Sequence, residues 1–309
     1  MRLDALTLRQ LRALRAVADS GSLTLAAAQL GLTPPAIHNQ LKSLEDLAGA
    51  AVLQRADHGA FRPTPEGQAL LLAEAQIATA LTRAGREVAA LRQGHSGNVV
   101  LGVVSTGKYF APFLVATLQR ALPQIEVTLR IGNRDAILAA LSGDELDLAI
   151  MGRPPREPAV IADPLGPHPH IIIAAPDHPL AAQDPVTPGD LLTQTFLSRE
   201  EGSGTRILMT RFLDRIGEGA TWRAVEMGTN ETIKQAVIAG LGIALISQHT
   251  CTEELRSGRL VALSAIGLPI QRSWYLLHRN DRAPSPATER IRASITGLGG
   301  SFLPRLSPA

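Results

Sequence analysis

Leu8, Leu11, Leu14 and Val17 recur at roughly helical spacing, which predicts an amphipathic helix over 7–19. Ser20-Gly21 ends it, and Ser22 is suited to cap a short, alanine-rich second helix over 23–30. Gly31 follows at the position where a left-handed residue closes a helix. Thr33 is then a second cap, and Pro34 and Pro35 fill the first helical positions, where a missing N–H costs nothing. The helix they start runs to about Leu47, with Ile37, Leu41 and Leu44 as its buried stripe and Ala36, His38, Asn39, Lys42 and Ser43 facing outward. Two short strands, 52–55 and 61–63, flank a polar tip at 56–60. Thr64-Pro65 opens a long helix to about Arg92, with Leu70, Ile77, Leu81, Ala84, Val88 and Leu91 forming a heptad-like seam. Such a seam wants a partner helix, and a second copy of itself is the simplest one.

Beyond a polar break at 95–98 the pattern changes. The apolar run 99–104 reads as a buried strand, and strands over 125–131 and 146–151 alternate with helices over roughly 110–118 and 135–141. The alternation resumes with strands at 171–175, 196–197, 223–227, 242–246 and 273–277 and helices at 205–216, 231–239 and 286–297. Strand alternating with helix predicts a parallel α/β sheet with helices on both faces.

Helix, glycine-containing turn, and a second helix with a polar outer face describe a helix-turn-helix whose last helix enters the major groove. With the strand pair as a wing, the candidate DNA contacts are Ser22, Thr24, Thr33, Pro34, Pro35, His38, Asn39, Lys42, Arg55 and Arg62. Asn39 is able to pair bidentately with adenine, and Lys42 to neutralise a phosphate. A helical hairpin of purely structural use would carry the same apolar stripe, and either arginine alone reads equally well as an ordinary surface residue. Charge does not decide the matter. The whole chain of 309 residues carries only +2, and residues 1–65 hold seven Lys/Arg against five Asp/Glu.

Composition sets the remaining bounds. Hydrophobic residues make up 45% and charged residues 19%, which argues against disorder. The one cysteine, Cys251, excludes an internal disulfide and any multi-cysteine zinc site. No signal peptide and no long apolar span is evident, so a cytoplasmic protein without membrane contact is expected. His168 and His170 lie in a proline-rich stretch and read as surface residues rather than metal ligands. Gly202-Ser203-Gly204 is neither a nucleophile elbow nor a phosphate-binding loop of the Walker type, so no catalytic residue, metal or cofactor is expected.

The strings SGSLTLAAAQLGLTPPAIHNQLKSLE, VLQR and FRPTPEGQALL together resemble the LysR-type transcriptional regulators, and the resemblance covers the whole chain. Pro34, His38 and Asn39 stand where Gln, Ser and Arg are commoner in that family. LTPPAIHNQLKSLEDLAG, PHPHIIIAAPDHPLA, LSREEGSGTRILMTRFL and MGTNETIKQAVIAGLGIALIS are similar to the CbbR branch, regulators of carbon-dioxide fixation operons. The resemblance implies a winged helix-turn-helix (1–65), a linker and dimerisation helix (66–93) and an effector domain (94–309) like the periplasmic binding proteins. Lobe I of that domain would span about 94–160 plus 270–309 and lobe II about 161–269, with crossings near 152–162 and 264–272. It also implies a homotetramer built as a dimer of dimers, a double-stranded DNA operator, and an effector that is a phosphorylated Calvin-cycle metabolite or a nicotinamide nucleotide.

Ligands of such sheets sit at the carboxyl ends of strands, near helix N-termini. Candidate effector contacts are therefore Ser105, Thr106 and Gly107; Asn133; Arg153 at the first crossing; Ser198, Arg199, Glu200, Gly202, Ser203, Gly204, Thr205 and Arg206; and Thr229 and Asn230. Any one of these is also a plain helix cap. The competing functions are an enzyme or solute carrier on the same lobes, which turnover of a ligand would reveal. A non-specific nucleoid protein is a third, and would show a steep salt dependence without sequence preference.

Overall fold

The computed structural model describes residues 5–55, 59–92 and 97–306, with the side chains of 86, 87 and 89–92 excepted. The chain forms two compact units, Met1–Gly85 and Arg86–Ala309.

In the first unit, α1 (Leu8–Ser20) opens on a capping box in which Thr7 and Gln10 satisfy each other's backbone N–H groups. Ser22 caps α2 (Leu23–Leu30), and Thr33 caps α3 (Pro34–Ala48) ahead of its two prolines. Gly31, at φ 65°, makes the left-handed turn between them, a conformation a side chain would strain. Leu11, Leu14, Val17, Ile37, Leu41 and Leu44 close into one core with Val52. β1 (Leu53–Arg55) pairs antiparallel with β2 (Phe61–Pro63). The expected polar tip of this hairpin lies partly outside the described residues, at 56–58, as does the expected break at 95–96.

The long helix α4 runs Pro65–Arg92. Leu70 and Leu71 are buried in the core of the helix-turn-helix, so Leu70 is not part of a free seam. The head's own hydrophobic residues cover the first turns of the helix face. Arg15 ties the same turns to α1, donating to Glu74 at 2.9 Å and to the Leu71 carbonyl at 2.8 Å. Farther along, Ile77, Leu81, Ala84 and Val88 are exposed. The side chain of Leu91 lies outside the described residues.

The second unit has two lobes. In lobe I, β3 (Gly97–Val104), β4 (Ile125–Gly132) and β5 (Leu148–Met151) run parallel. Helices α5 (Ala111–Ala121) and α6 (Arg134–Ser142) connect them. β12 (Ser273–Arg279) and β6 (Val160–Pro167) complete the sheet antiparallel, in the order β4-β3-β5-β12-β6. α11 (Pro286–Gly297) returns to pack on it.

Lobe II contains β7 (His170–Ala174), α7 (Pro188–Leu192), β8 (Thr195–Ser198) and α8 (Gly204–Gly217). It continues with β9 (Arg223–Glu226), α9 (Asn230–Ile238), β10 (Ala244–Ser247), α10 (Thr252–Arg256) and β11 (Val261–Ala262). β10, β7 and β11 pair antiparallel, β8 and β9 pair parallel, and a parallel bridge from Phe196 to Ile243 joins the two groups.

Two expectations need correction. Both sheets are mixed rather than parallel, because β12, β7 and β11 run against their neighbours. The first crossing lies after Pro167 rather than at 152–162, because 160–167 forms β6 and pairs along its length with β12 in lobe I. The second crossing ends at Arg272, just before β12.

Candidate functional site

The face of α3 opposite its buried stripe presents His38, Asn39 and Lys42 to solvent, with Thr33, Pro34 and Pro35 exposed at its start. A hydrogen bond of 2.9 Å from Gln10 Nε2 to Ser43 Oγ ties α3 to α1 and so fixes the direction of that face. Ser22 spends its hydroxyl on the cap of α2, and Thr24 beside it is exposed. On the hairpin, exposed Arg55 lies 5.2 Å from the Phe61 ring centroid, a cation–π contact that orients its guanidinium. Arg62 is exposed opposite Gln54. Every one of these side chains except the two caps, Ser22 and Thr33, is free to meet a duplex.

In the second unit the two lobes enclose a cleft of about 560 Å³. Six of the expected effector residues line it: Ser105, Thr106, Arg153, Ser203, Gly204 and Thr205. Beside the cleft a buried network ties the lobes together. Arg199 donates to Glu200 at 2.6 and 2.7 Å, to Asn230 Oδ1 at 2.8 Å, and across to Ser105 Oγ of lobe I at 3.1 Å. Burial pushes the Glu200 carboxyl up, but hydrogen bonds from Arg199 and Asn133 outweigh it and hold the group below the usual carboxylate range. Gly202, at φ 79°, accepts a backbone hydrogen bond from Asp135 at 3.2 Å; a Cβ there would stand 2.9 Å from the Asp135 carboxylate. Its role is close approach of the lobes.

The remaining expected residues do other work. Gly107 packs against Val103 and Phe110 with no room for a side chain. Asn133 caps α6, and Thr229 caps α9. Ser198 is buried and hydrogen-bonds the Arg199 carbonyl. Arg206 is paired with Glu226.

The sequence reading missed most of the cleft's charge. Arg134, Arg156, Arg211 and Arg272 join Arg153 there, against one carboxylate, Glu157. Among the described residues, no carboxylate lies within ion-pair distance of any of the five. Among the described residues Arg134 donates to the Arg153 carbonyl (2.7 Å) and Met151 Sδ (3.4 Å). Burial and then the neighbouring Arg153 push the guanidinium groups of Arg134 and Arg272 below their ordinary range, with Arg211 adding to the effect on Arg272. Like charges gathered without counter-charge are destabilised, and a bound anion is what relieves them. The string Arg153-Pro-Pro-Arg156 was a signal available in the sequence; the others come from separate segments.

His168 and His170 also line the cleft, and they are buried rather than on the surface. His168 stacks on Trp274 and offers Nε2 to Ser247 Oγ at 2.9 Å; His170 Nδ1 lies 3.1 Å from the His168 carbonyl. Burial drives the His168 imidazole well below its ordinary pKa and His170 down to about 4, so both are neutral near pH 7. On the other side of the lobe junction, Glu231 of α9 accepts from Lys108 at 2.5 Å and from the Tyr109 hydroxyl. Burial opposes its charge, yet these two bonds hold the carboxyl down at about 2.

Comparison with known proteins agrees with this anatomy at both ends of the chain. Residues 92–298 match the LysR substrate binding domain. The HTH-type transcriptional regulator CbbR of Cereibacter sphaeroides is 54% identical over 98% of each chain. The RuBisCO operon transcriptional regulator of Allochromatium vinosum is 37% identical over 94% of this chain and 95% of its own. The solved regulatory domain of Synechocystis CcmR, in complex with 2-PG, is 33% identical and superposes with a TM-score of 0.63, covering 66% of this chain and 98% of that one. Residues 8–68 match the bacterial regulatory helix-turn-helix proteins of the lysR family, and the chain belongs to that family of DNA-binding transcription regulators.

Proposed function

We propose that this regulator controls operons for carbon-dioxide fixation and is gated by a small phosphorylated anion held between the lobes. The observation that carries the reading is the set of five arginines, without carboxylate partners among the described residues, around a cleft of about 560 Å³. That volume and charge suit a compact, multiply charged ligand such as a sugar phosphate, with a nicotinamide nucleotide as the alternative. The names of the relatives support the operon class, and the 2-PG held by the Synechocystis domain supports a phosphorylated effector. We read the protein as a cytoplasmic binding switch without catalysis, metal or cofactor.

Asn39 is assigned to base reading, Lys42, Arg55 and Arg62 to phosphates, and Ser22, Thr24, Thr33, Pro34, Pro35 and His38 to the surrounding contact. The exposed stripe Ile77, Leu81, Ala84 and Val88 is assigned to pairing with a second copy, and two such dimers form the tetramer.

A ligand shifts DNA binding only through its preference for one lobe arrangement, typically about 1–3 kcal/mol. By linkage, operator DNA must then change ligand affinity by the same factor. Calorimetric titration with phosphorylated sugars and nicotinamide nucleotides, with and without operator, tests this. Ligand affinity identical in both conditions rules out affinity coupling.

A further inference from the structure

His168 sits at the first crossing between the lobes, on the cleft wall, with its backbone N–H bonded to the Arg272 carbonyl at 2.7 Å. Its side chain is 3% exposed, yet among the described residues Nδ1 has no hydrogen-bond partner. A buried polar nitrogen left unpaired is costly, and native proteins keep one mainly where a ligand or water completes it. The environment holds this nitrogen at the cleft wall. Trp274 covers one ring face, with centroids 3.7 Å apart. Ser247 occupies Nε2. Nδ1 is left facing Gly152, itself a cleft residue, where an added Cβ would stand only 2.7 Å away.

Ser247 decides which nitrogen carries the proton. Its hydroxyl is fully buried, and His168 Nε2 is its one hydrogen-bond partner among the described residues. If Nε2 carried the proton, the serine proton would be left without an acceptor. If the serine donates to Nε2, both hydroxyl and ring are satisfied on that side and the proton stands on Nδ1. The orphan is then a neutral donor in an arginine-lined cleft. It suits an acceptor oxygen and adds direction without adding charge.

We propose that His168 is a ligand-contacting, specificity-determining residue whose Nδ1–H donates to an anionic oxygen of the molecule the cleft arginines hold. The inference rests on the anion-gated reading above. It differs in kind from the arginine contacts. Guanidinium groups attract any anion, whereas one fixed donor selects ligands with an oxygen at its position.

The test titrates 2-PG by calorimetry into the full-length parent, His168→Gln, His168→Asn and Arg153→Ala. An asparagine side chain places an amide nitrogen near the site of Nδ1; a glutamine reaches toward Nε2 instead. Loss of a hydrogen bond to a charged oxygen is expected to weaken His168→Gln binding roughly tenfold or more, with His168→Asn close to the parent. Gly152→Ala keeps the histidine but sets a methyl group 2.7 Å from Nδ1, so the ring or the Gly152 backbone must give way; it should lose affinity likewise, and it stands in if the His168 variants do not fold. In parallel, 1H–15N spectra of the parent protein with its eight histidines labelled should show His168 neutral, protonated at Nδ1, and shifted by 2-PG. Parent-like affinity in His168→Gln and Gly152→Ala together with loss in Arg153→Ala overturns the role of His168 and leaves the anion-gated reading standing. A proton on Nε2 overturns it also. If 2-PG, the phosphorylated sugars and the nicotinamide nucleotides all fail to bind the parent, the phosphorylated-anion reading falls, and this inference with it.

Discussion

His168 lies flat on Trp274, ring planes within 14° of each other, and so joins the two chain crossings between the lobes. Trp274 begins just past the second crossing, is fully buried, and meets Phe110 edge-on at 5.1 Å on its way into the lobe I core. Its indole N–H donates to His249 Nδ1 at 3.0 Å. Ser247, His168, Trp274 and His249 thus form one buried polar and aromatic unit at the chain crossings between the lobes.

This unit makes stability depend on pH. Burial lowers His170 and His249 to about 4, and His168 also falls well below the ordinary 6.5. The unfolded chain takes up protons on these side chains near 6.5, while the folded protein refuses them on His170 and His249 until about 4 and on His168 well below 6.5. Their stabilisation is therefore complete above 6.5 and is lost as pH falls toward 4, at a limit of about 1.4 kcal/mol per pH unit for each histidine. Urea unfolding between pH 7.5 and 5 measures it. A stability that stays flat across that window contradicts the assignment of these rings as neutral and buried.

The contact of Lys108 and Tyr109 with Glu231 spans the lobe junction, but Lys108 and Glu231 are 36% and 45% exposed, so solvent screens the pair. Glu231→Gln should cost little stability. It removes a contact that favours approach of the lobes, so effector affinity should fall by about two- to fivefold. Because the carboxyl titrates near 2, against an ordinary value of 4.5, the contact holds across the neutral range and fails only in strong acid. Calorimetry on the variant checks the effect, and unchanged affinity would show that the contact is equally made in open and closed forms.

Assembly is tested on α4. Ile77, Leu81 and Val88 are 37%, 46% and 55% exposed, more than apolar side chains without a partner usually tolerate in so regular a row. Ile77→Asp places a charge in the proposed seam at a cost of several kcal/mol. Analytical ultracentrifugation of the folded variant should report a smaller species than the parent. Equal mass would place the partner surface elsewhere.

How much of this was legible in the sequence follows the range of the forces. The head was legible because caps, prolines and the Ile37/Leu41/Leu44 stripe act over one or two turns. Ser105, Thr106, Ser203 and Thr205 were legible because strand ends and helix starts mark themselves locally. Strand direction was not, since β6 and β12 are oriented by pairing rather than by their own pattern. Nor were Arg134, Arg211 and Arg272, which look like ordinary surface charges until tertiary folding gathers them. The prolines around His168 read as a turn, and the distant Trp274, Ser247 and Gly152 that enclose its ring come from other segments.

The last prediction separates reading from holding in the DNA head. Asn39 and Lys42 are both exposed on α3, about one helical turn apart, opposite Ile37, Leu41 and Leu44. An amide pairs with one base edge, so Asn39→Ala should lose about 1–3 kcal/mol on the operator and almost nothing on unrelated DNA. An ammonium meets phosphate regardless of sequence, so Lys42→Ala should weaken operator and unrelated DNA alike. It should also flatten the dependence of log affinity on log salt by about one unit. Fluorescence anisotropy over a salt series on both duplexes gives the two quantities separately. Asn39→Ala binding the operator as tightly as the parent would take Asn39 out of the base-reading set. An unchanged salt slope in Lys42→Ala would mean that its ammonium never meets a phosphate.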